Sequence, residues 1–248
     1  MICRNARFHF PTIVSLIGLT LTTASAHAST IYYAHWTASN GSSATDGSAV
    51  GTIATAQGNV TVNYTGDVAP WTQINNVGND YYSAWPGVYT NATVSNLPGT
   101  VDIIALSQTH AYTNTLTFSS PVLNPVLDIV SLGQPGRLVS YLFDATPVIL
   151  SQGSASYGGC AICLSVNGNT LTGDEGDGVI QFMGTFSQLS WTTTGREPWN
   201  GFTVGVAGAT VTTSSVIANN PEPATWSLLL IAGAIAIPAI RRHKWNQA

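Results

Sequence analysis

The middle of this 248-residue chain predicts an all-β fold: an antiparallel β-sandwich, jelly-roll-like, built as a single domain. Three observations predict it. Apolar and polar residues alternate in many short runs, the period of a strand with one buried face. Gly, Pro and Asn break those runs at short intervals, as turns do. Between residues 29 and 213 no stretch holds a helical period over an adequate length. That segment is long enough for one sizeable core.

The elements follow in order. Ile31 to Trp36 opens a first strand, and Thr37–Gly51, polar and small, reads as a loop. Gly58–Gly66 (GNVTVNYTG) puts Val60, Val62 and Tyr64 on one face between two glycines. Asp67–Gly99, rich in Asn, Tyr, Trp and Pro, reads as a long loop. Ala111–Pro121 places Tyr112, Leu116 and Phe118 on one side and ends at its proline. Pro125–Gly133 and Arg137–Ala145 are expected to pair as a hairpin about Gly133-Gln134-Pro135-Gly136. Gly178–Phe186 turns Ile180, Phe182 and Phe186 inward, and Ser187–Thr193 does the same with Leu189 and Trp191. Gly201–Gly208 closes the set with Phe202, Val204 and Val206.

The two ends differ from this middle. Arg4 and Arg7 precede a mostly apolar run from Phe8 to Leu21, then small residues and Ala26-His27-Ala28. This is the build of a secretory signal peptide over residues 1–28, removed by signal peptidase after Ala28, with Ala24-Ser25-Ala26 as the alternative site. At the other end, Ala224 to Ile240 is 17 residues without a charge. At about 1.5 Å per residue this makes roughly 25 Å of helix, the short end of what crosses a hydrocarbon core about 30 Å thick. Arg241, Arg242 and Lys244 follow at once and would stay on the cytoplasmic side as a membrane stop. The expected topology is domain outside, tail inside, with 214–220 as linker.

Pro221-Glu222-Pro223-Ala224-Thr225-Trp226, the apolar run and Arg241-Arg242-His243-Lys244 together resemble the PEP-CTERM sorting signal of Gram-negative bacteria. The same tail is also called the ice-binding protein C-terminal domain. The resemblance covers residues 221–245. It implies an exosortase as partner, a membrane cysteine protease-transpeptidase that recognises Pro221, Glu222 and Pro223 and removes the tail. The protein would pass through an inner-membrane-anchored intermediate to the periplasm, cell surface or extracellular matrix. A softer resemblance, over about Thr115–Ala207, is to a recurring domain of PEP-CTERM proteins, and it implies fold more than function.

Composition narrows the function further. Five of the seven basic residues sit in the terminal segments, so only Arg137 and Arg196 stand against ten acidic residues in the middle, a balance of −8 with no lysine. Phosphate binding needs clustered Lys and Arg, so nucleic acid is excluded as a partner. A neutral, Thr-, Ser- and Asn-rich surface suits polysaccharide neighbours.

Cys160 and Cys163 remain after Cys3 leaves with the signal peptide, and an even pair in an oxidising compartment predicts a disulfide. Their flanks, Gly158-Gly159 and Leu164-Ser165-Val166, lack the helix N-terminus that a redox-active pair needs. Asp174, Glu175 and Asp177 in GDEGDG are candidate calcium ligands, against the plainer reading of an Asp/Gly turn. Trp71, Tyr81, Tyr82, Trp85 and Tyr89 are either sugar-stacking rings or aromatics that pack down on the core; packing is the expectation, as it is for Trp199-Asn200.

No nucleophile elbow, metal-binding His-Glu-x-x-His helix or singled-out carboxylate pair marks catalysis, and His35 and His110 read as surface residues. The expectation is an exported, noncatalytic surface or matrix protein associated with exopolysaccharide or biofilm. The alternative is a carbohydrate-binding module, with calcium dependence through Asp174, Glu175 and Asp177 as its variant. An ice-binding domain lacks the regular Thr-rich repeat it would need.

Overall fold

The computed structural model of the chain describes residues 29–42, 45–107 and 113–210. The elements in chain order are β1 (Tyr32–Ser42), β2 (Thr45–Thr55), β3 (Gly58–Gly66), one helical turn α1 (Pro86–Tyr89), β4 (Ile104–Leu106), β5 (Thr113–Leu123), β6 (Val126–Leu132), β7 (Val139–Phe143), β8 (Pro147–Gly153), β9 (Leu164–Asn167), β10 (Thr170–Gly173), β11 (Gly176–Phe182), β12 (Thr185–Thr194), β13 (Asn200–Val206) and β14 (Gly208–Ala209). The fold is all-β, and every ladder between these strands is antiparallel.

The strands form one 14-stranded sheet, nearly closed as a barrel, in the order β8-β11-β6-β13-β1-β2-β3-β5-β12-β7-β10-β9. β4 adds beside β13 and β14 beside β5. β1 carries the sheet around the bend. Its Tyr32 and Tyr33 pair with Val206 and Gly205 of β13, and from Ala34 onward it pairs with β2. The far ends approach each other where the Leu164 N–H of β9 donates to Gln152 Oε1 of β8 at 2.7 Å.

Two arcs of this sheet face each other across one core. Leu127, Ile129, Ile180, Phe182, Phe202, Val204 and Val206 come from the β8–β13 arc; Val62, Tyr64, Leu116, Phe118, Tyr141, Phe143, Leu189 and Trp191 come from the other. Aromatic rings bridge them: Phe143 meets Phe182 with centroids 4.8 Å apart, and Phe202 meets Tyr64 and Trp191 at 5.3 Å each. Such pairs add about 0.5–1.5 kcal/mol each beyond their area.

The arcs differ in their outer faces, and the sequence records it. β3 alternates buried and exposed residues, because its outer face meets water. β6, β11 and β13 are buried at every position. Their outer face is covered by the segment between β3 and β4, whose Tyr81, Tyr82, Val88, Tyr89 and Val94 pack with Val126, Val130 and Val179. The aromatic loop therefore packs down, as expected for Tyr81, Tyr82 and Tyr89, while Trp71 and Trp85 stay 46% and 38% exposed.

Three expectations need correcting. Thr37–Gly51 is not a loop: its described residues form the end of β1 and the start of β2, paired from Ala38–Val50 to Asn40–Ser48. Small residues sit there because the chain at Val68 crosses close by, and a Cβ on Gly41 would come within 2.4 Å of the Val68 carbonyl oxygen. The β6–β7 hairpin does not form. β6 pairs with β11 and β13, while β7 pairs with β10 and β12. The Gly133–Gly136 turn is real, with Gln134 and Arg137 bonded both ways, but it carries the chain from one arc to the other. Gly133 has φ of 81°, and a Cβ there would meet the Gly173 carbonyl at 2.3 Å. Finally, the GDEGDG stretch is a turn only in part, since Gly176 to Gly178 already belong to β11.

Candidate functional site

The predicted signal peptide, the sorting motif Pro221-Glu222-Pro223, the run Ala224–Ile240 and the stop Arg241, Arg242 and Lys244 lie outside the described residues, as does His110. Among the described residues no helix is long and apolar enough to cross a membrane. Cys160 and Cys163 are joined as a disulfide, with Cα atoms 5.3 Å apart.

The acidic stretch does not act as one unit. Asp174 turns outward, where its Oδ1 accepts from the Gly136 N–H at 2.7 Å. Glu175 turns inward and accepts from Ser131 Oγ. Asp177, buried on the outer face of β11, accepts from the Ser131 N–H at 2.9 Å and from Tyr89 Oη at 3.4 Å. Their common partner, Ser131, is a bulge residue: φ is 58°, and the register slips between Gly176 and Gly178.

A carboxylate that the sequence reading passed over stands close by. Glu197 Oε2 accepts from the Gly133 N–H and from Asn200 Nδ2, both at 2.8 Å, and Asn200 Oδ1 accepts from Tyr141 Oη at 2.6 Å. Burial pushes the Asp177 carboxyl up to about 7, with the negative charge of Glu175 adding to it. Burial also pushes Glu197 up to about 8. These groups tie β6, β11 and the β12–β13 connection together through donors to Asp177 Oδ1, Glu175 Oε1 and Glu197 Oε2, while Asp177 Oδ2 and Glu197 Oε1 are buried with no hydrogen bond of their own. Among the described residues no group of three or more His, Cys, Asp or Glu side chains is placed to hold a metal ion.

Above this knot three loops bring three rings together. Tyr81 comes from the β3–β4 segment, Tyr157 from the β8–β9 loop and Trp199 from the β12–β13 connection. The Tyr157 ring lies 4.9 Å from Trp199 and 6.0 Å from Tyr81, and Tyr81 lies 5.3 Å from Trp199. Tyr81 is nearly buried, Trp199 is half-buried and Tyr157 is 52% exposed. The Tyr157 hydroxyl donates to Tyr81 Oη at 3.4 Å, and Asn79 Nδ2 donates to the same Tyr81 oxygen at 3.5 Å. Burial and the Tyr81 hydroxyl push the Tyr157 phenol up to about 12, so it stays a neutral donor. Of Trp199-Asn200, expected to pack on the core, Asn200 is fully buried, and Trp199 is half-buried against the outer core cluster while its ring also meets Tyr157.

His35 is at the surface, as expected, and it also bonds a buried acid. Its Nδ1 lies 2.7 Å from Asp102 Oδ2, with the imidazole half-exposed and the carboxylate fully buried. Asp102 accepts in addition from the Trp36 N–H at 3.0 Å and the Asn76 N–H at 2.6 Å. It is the pin between β1 and the covering segment. Nothing local marked it, because Asp102 and His35 are 67 residues apart.

Two cavities lie among the described residues. One of about 290 Å³ lies beside Ile31, Tyr33, Asn96 and Leu97; one of about 200 Å³ lies beside the disulfide, Leu138 and Ile162. Comparison of the chain with protein-family models, with curated proteins and with solved structures returned no match.

Proposed function

We propose that this chain is an exported, noncatalytic surface or extracellular-matrix protein, a jelly-roll-like sandwich delivered by residues 1–28 and sorted through Pro221-Glu222-Pro223 by an exosortase. The observation that carries the reading is the order of parts at the C-terminus: motif, 17 uncharged residues, then Arg241, Arg242 and Lys244. The described domain is compatible with it. Its strands run from Tyr32 to Ala209, between the two terminal segments, and its disulfide suits an oxidising compartment. The buried carboxylates also favour a structural protein, because their geometry is used to hold strands together.

The intact mass of the native protein tests this, taken from membrane, envelope and medium of its own cells. A C-terminus near Pro221–Pro223 in the envelope or medium is expected, with any added mass identifying what the domain is joined to. A chain ending at Ala248 and found only in membranes would make Ala224–Ile240 a permanent anchor and remove the sorting step.

A further inference from the structure

We propose that Tyr157 and Trp199, backed by Tyr81, form a stacking platform for the pyranose rings of an uncharged polysaccharide. The site deepens the matrix reading by naming what the domain would touch there, and it relies on that reading only for where such a polymer is met.

The first argument is exposure against chemistry. An aromatic ring with no ligand gains by burial, at about 25 cal/mol per Å² of apolar surface. Tyr82 and Tyr89, from the same covering segment as Tyr81, follow that rule and are 1% and 0% exposed. Tyr157 does not: half of it faces solvent at the tip of a loop turned by Gly158 and Gly159, both at positive φ. Trp71 and Trp85 are also exposed, but neither belongs to a described ring cluster of this kind.

The second argument is preorganisation. Tyr157 is held against both Tyr81 and Trp199, and its hydroxyl is tied to that of Tyr81. Ring orientation is therefore set before a ligand arrives, and the ordering cost on binding falls. Three loops far apart in sequence supply the rings, and each is anchored: Tyr89 of the Tyr81 segment donates to Asp177, the Leu164 N–H donates to Gln152 across the Tyr157 loop, and Asn200, next to Trp199, donates to Glu197.

The third argument selects the ligand. A pyranose chair offers an apolar C–H face to a ring and hydroxyls at its rim, where the Tyr157 hydroxyl and Asn79 stand. Polyanions are disfavoured by a segment carrying ten acidic residues against Arg137 and Arg196. Polycations find no exposed carboxylate among Glu175, Asp177 and Glu197, because all three are buried. An uncharged sugar polymer is what remains.

The test is affinity electrophoresis of the full chain in mild detergent. Native gels would contain hydroxyethyl cellulose, glucomannan or dextran, with polygalacturonate and chitosan as charged comparators. Wild type is expected to be retarded in at least one neutral gel. Tyr157→Ala should weaken that retardation by about tenfold, the loss of one ring contact, at an unchanged melting temperature. Tyr157→Phe should retain most of it. Tyr157 is chosen because its exposure spares the fold; Trp199→Ala, with a melting curve, is the second variant. No retardation in any neutral gel, retardation only by a charged polymer, or full retardation in both alanine variants would overturn the platform. A chain that binds neutral polymer yet keeps its full-length mass in cells would remove sorting and leave the platform standing, and the reverse result would do the opposite.

Discussion

The Ser131 N–H donates to Asp177 Oδ1 across the β6 bulge at 2.9 Å, the same residue whose hydroxyl bonds Glu175. Burial of Asp177 and Glu197, with the charge of Glu175 adding to it, makes the folded state favour their neutral forms. Their folded values of about 7 and 8 stand above the ordinary 3.8 and 4.5. Between those limits the folded chain holds more protons than the unfolded one. The stability they contribute is complete below about pH 4 and is lost as pH rises through 7 and then 8. At about 1.4 kcal/mol per pKa unit, the Asp177 contribution is on the order of 4 kcal/mol at most. Melting temperature should therefore fall by several degrees from pH 5 to pH 9. Asp177→Asn should flatten that fall, with Asn200→Asp as a control that steepens it. A melting temperature that rises steadily over the same range would show that both carboxyls are charged in the fold.

The Asp102–His35 pair separates a structural bond from a surface ion pair. Asp102 is fully buried and accepts from Trp36, Asn76 and His35. Asp102→Ala leaves two backbone N–H donors without that acceptor, at roughly 1–3 kcal/mol for each donor left buried. His35→Ala removes only a half-exposed partner and should cost about 1 kcal/mol or less. Urea titration of the two variants checks this, and amide exchange should locate the loosening in the Asn75–Asp102 segment. Equal losses for both variants would make the ion pair, rather than the backbone bonds, the source of the stabilisation.

How much of this was legible depended on whether the signal was local. Gly58–Gly66 was read to the residue, because β3 has one wet face and glycines at both ends. Phe202, Val204 and Val206 were placed inward from their alternation alone, although β13 is buried on both faces. β2 was missed because its buried positions include Ala49 and Gly51, small residues that resemble a loop, and β8 and β10 because their partners lie in other parts of the chain. The expected β6–β7 hairpin had the right turn and the wrong partners: a Gly-rich turn fixes a reversal, not which strand lies next to it. The platform was the least visible. Tyr81, Tyr157 and Trp199 gain meaning only when three loops meet, and Glu197 joins Glu175 and Asp177 only through Ser131 and the Gly133 turn. The calcium expectation read three carboxylates by adjacency, whereas Asp174 and Glu175 lie on the turn between β10 and β11 and bond different partners, and Asp177 is buried under Tyr89 on the outer face of β11.

The disulfide gives the last prediction. Cys160 and Cys163 are three positions apart, so the bond closes a very small loop. Loop-closure entropy then contributes about 2 kcal/mol at most, far less than a long-range bridge. The bridge's place matters more than its size, since it follows Tyr157 and Gly159 and precedes Leu164, whose N–H bonds Gln152 where the sheet nearly closes. Cys160→Ser with Cys163→Ser should lower the melting temperature by a few degrees and leave the β-sheet signal in circular dichroism intact. The same variant should raise amide exchange at Ala155, Gly158 and Leu164, whose N–H groups bond within the β8–β9 region. Loss of the whole fold on reduction would place the bridge among the bonds that the core depends on, and would contradict a sheet whose two arcs are held by Phe143, Phe182, Trp191 and Phe202.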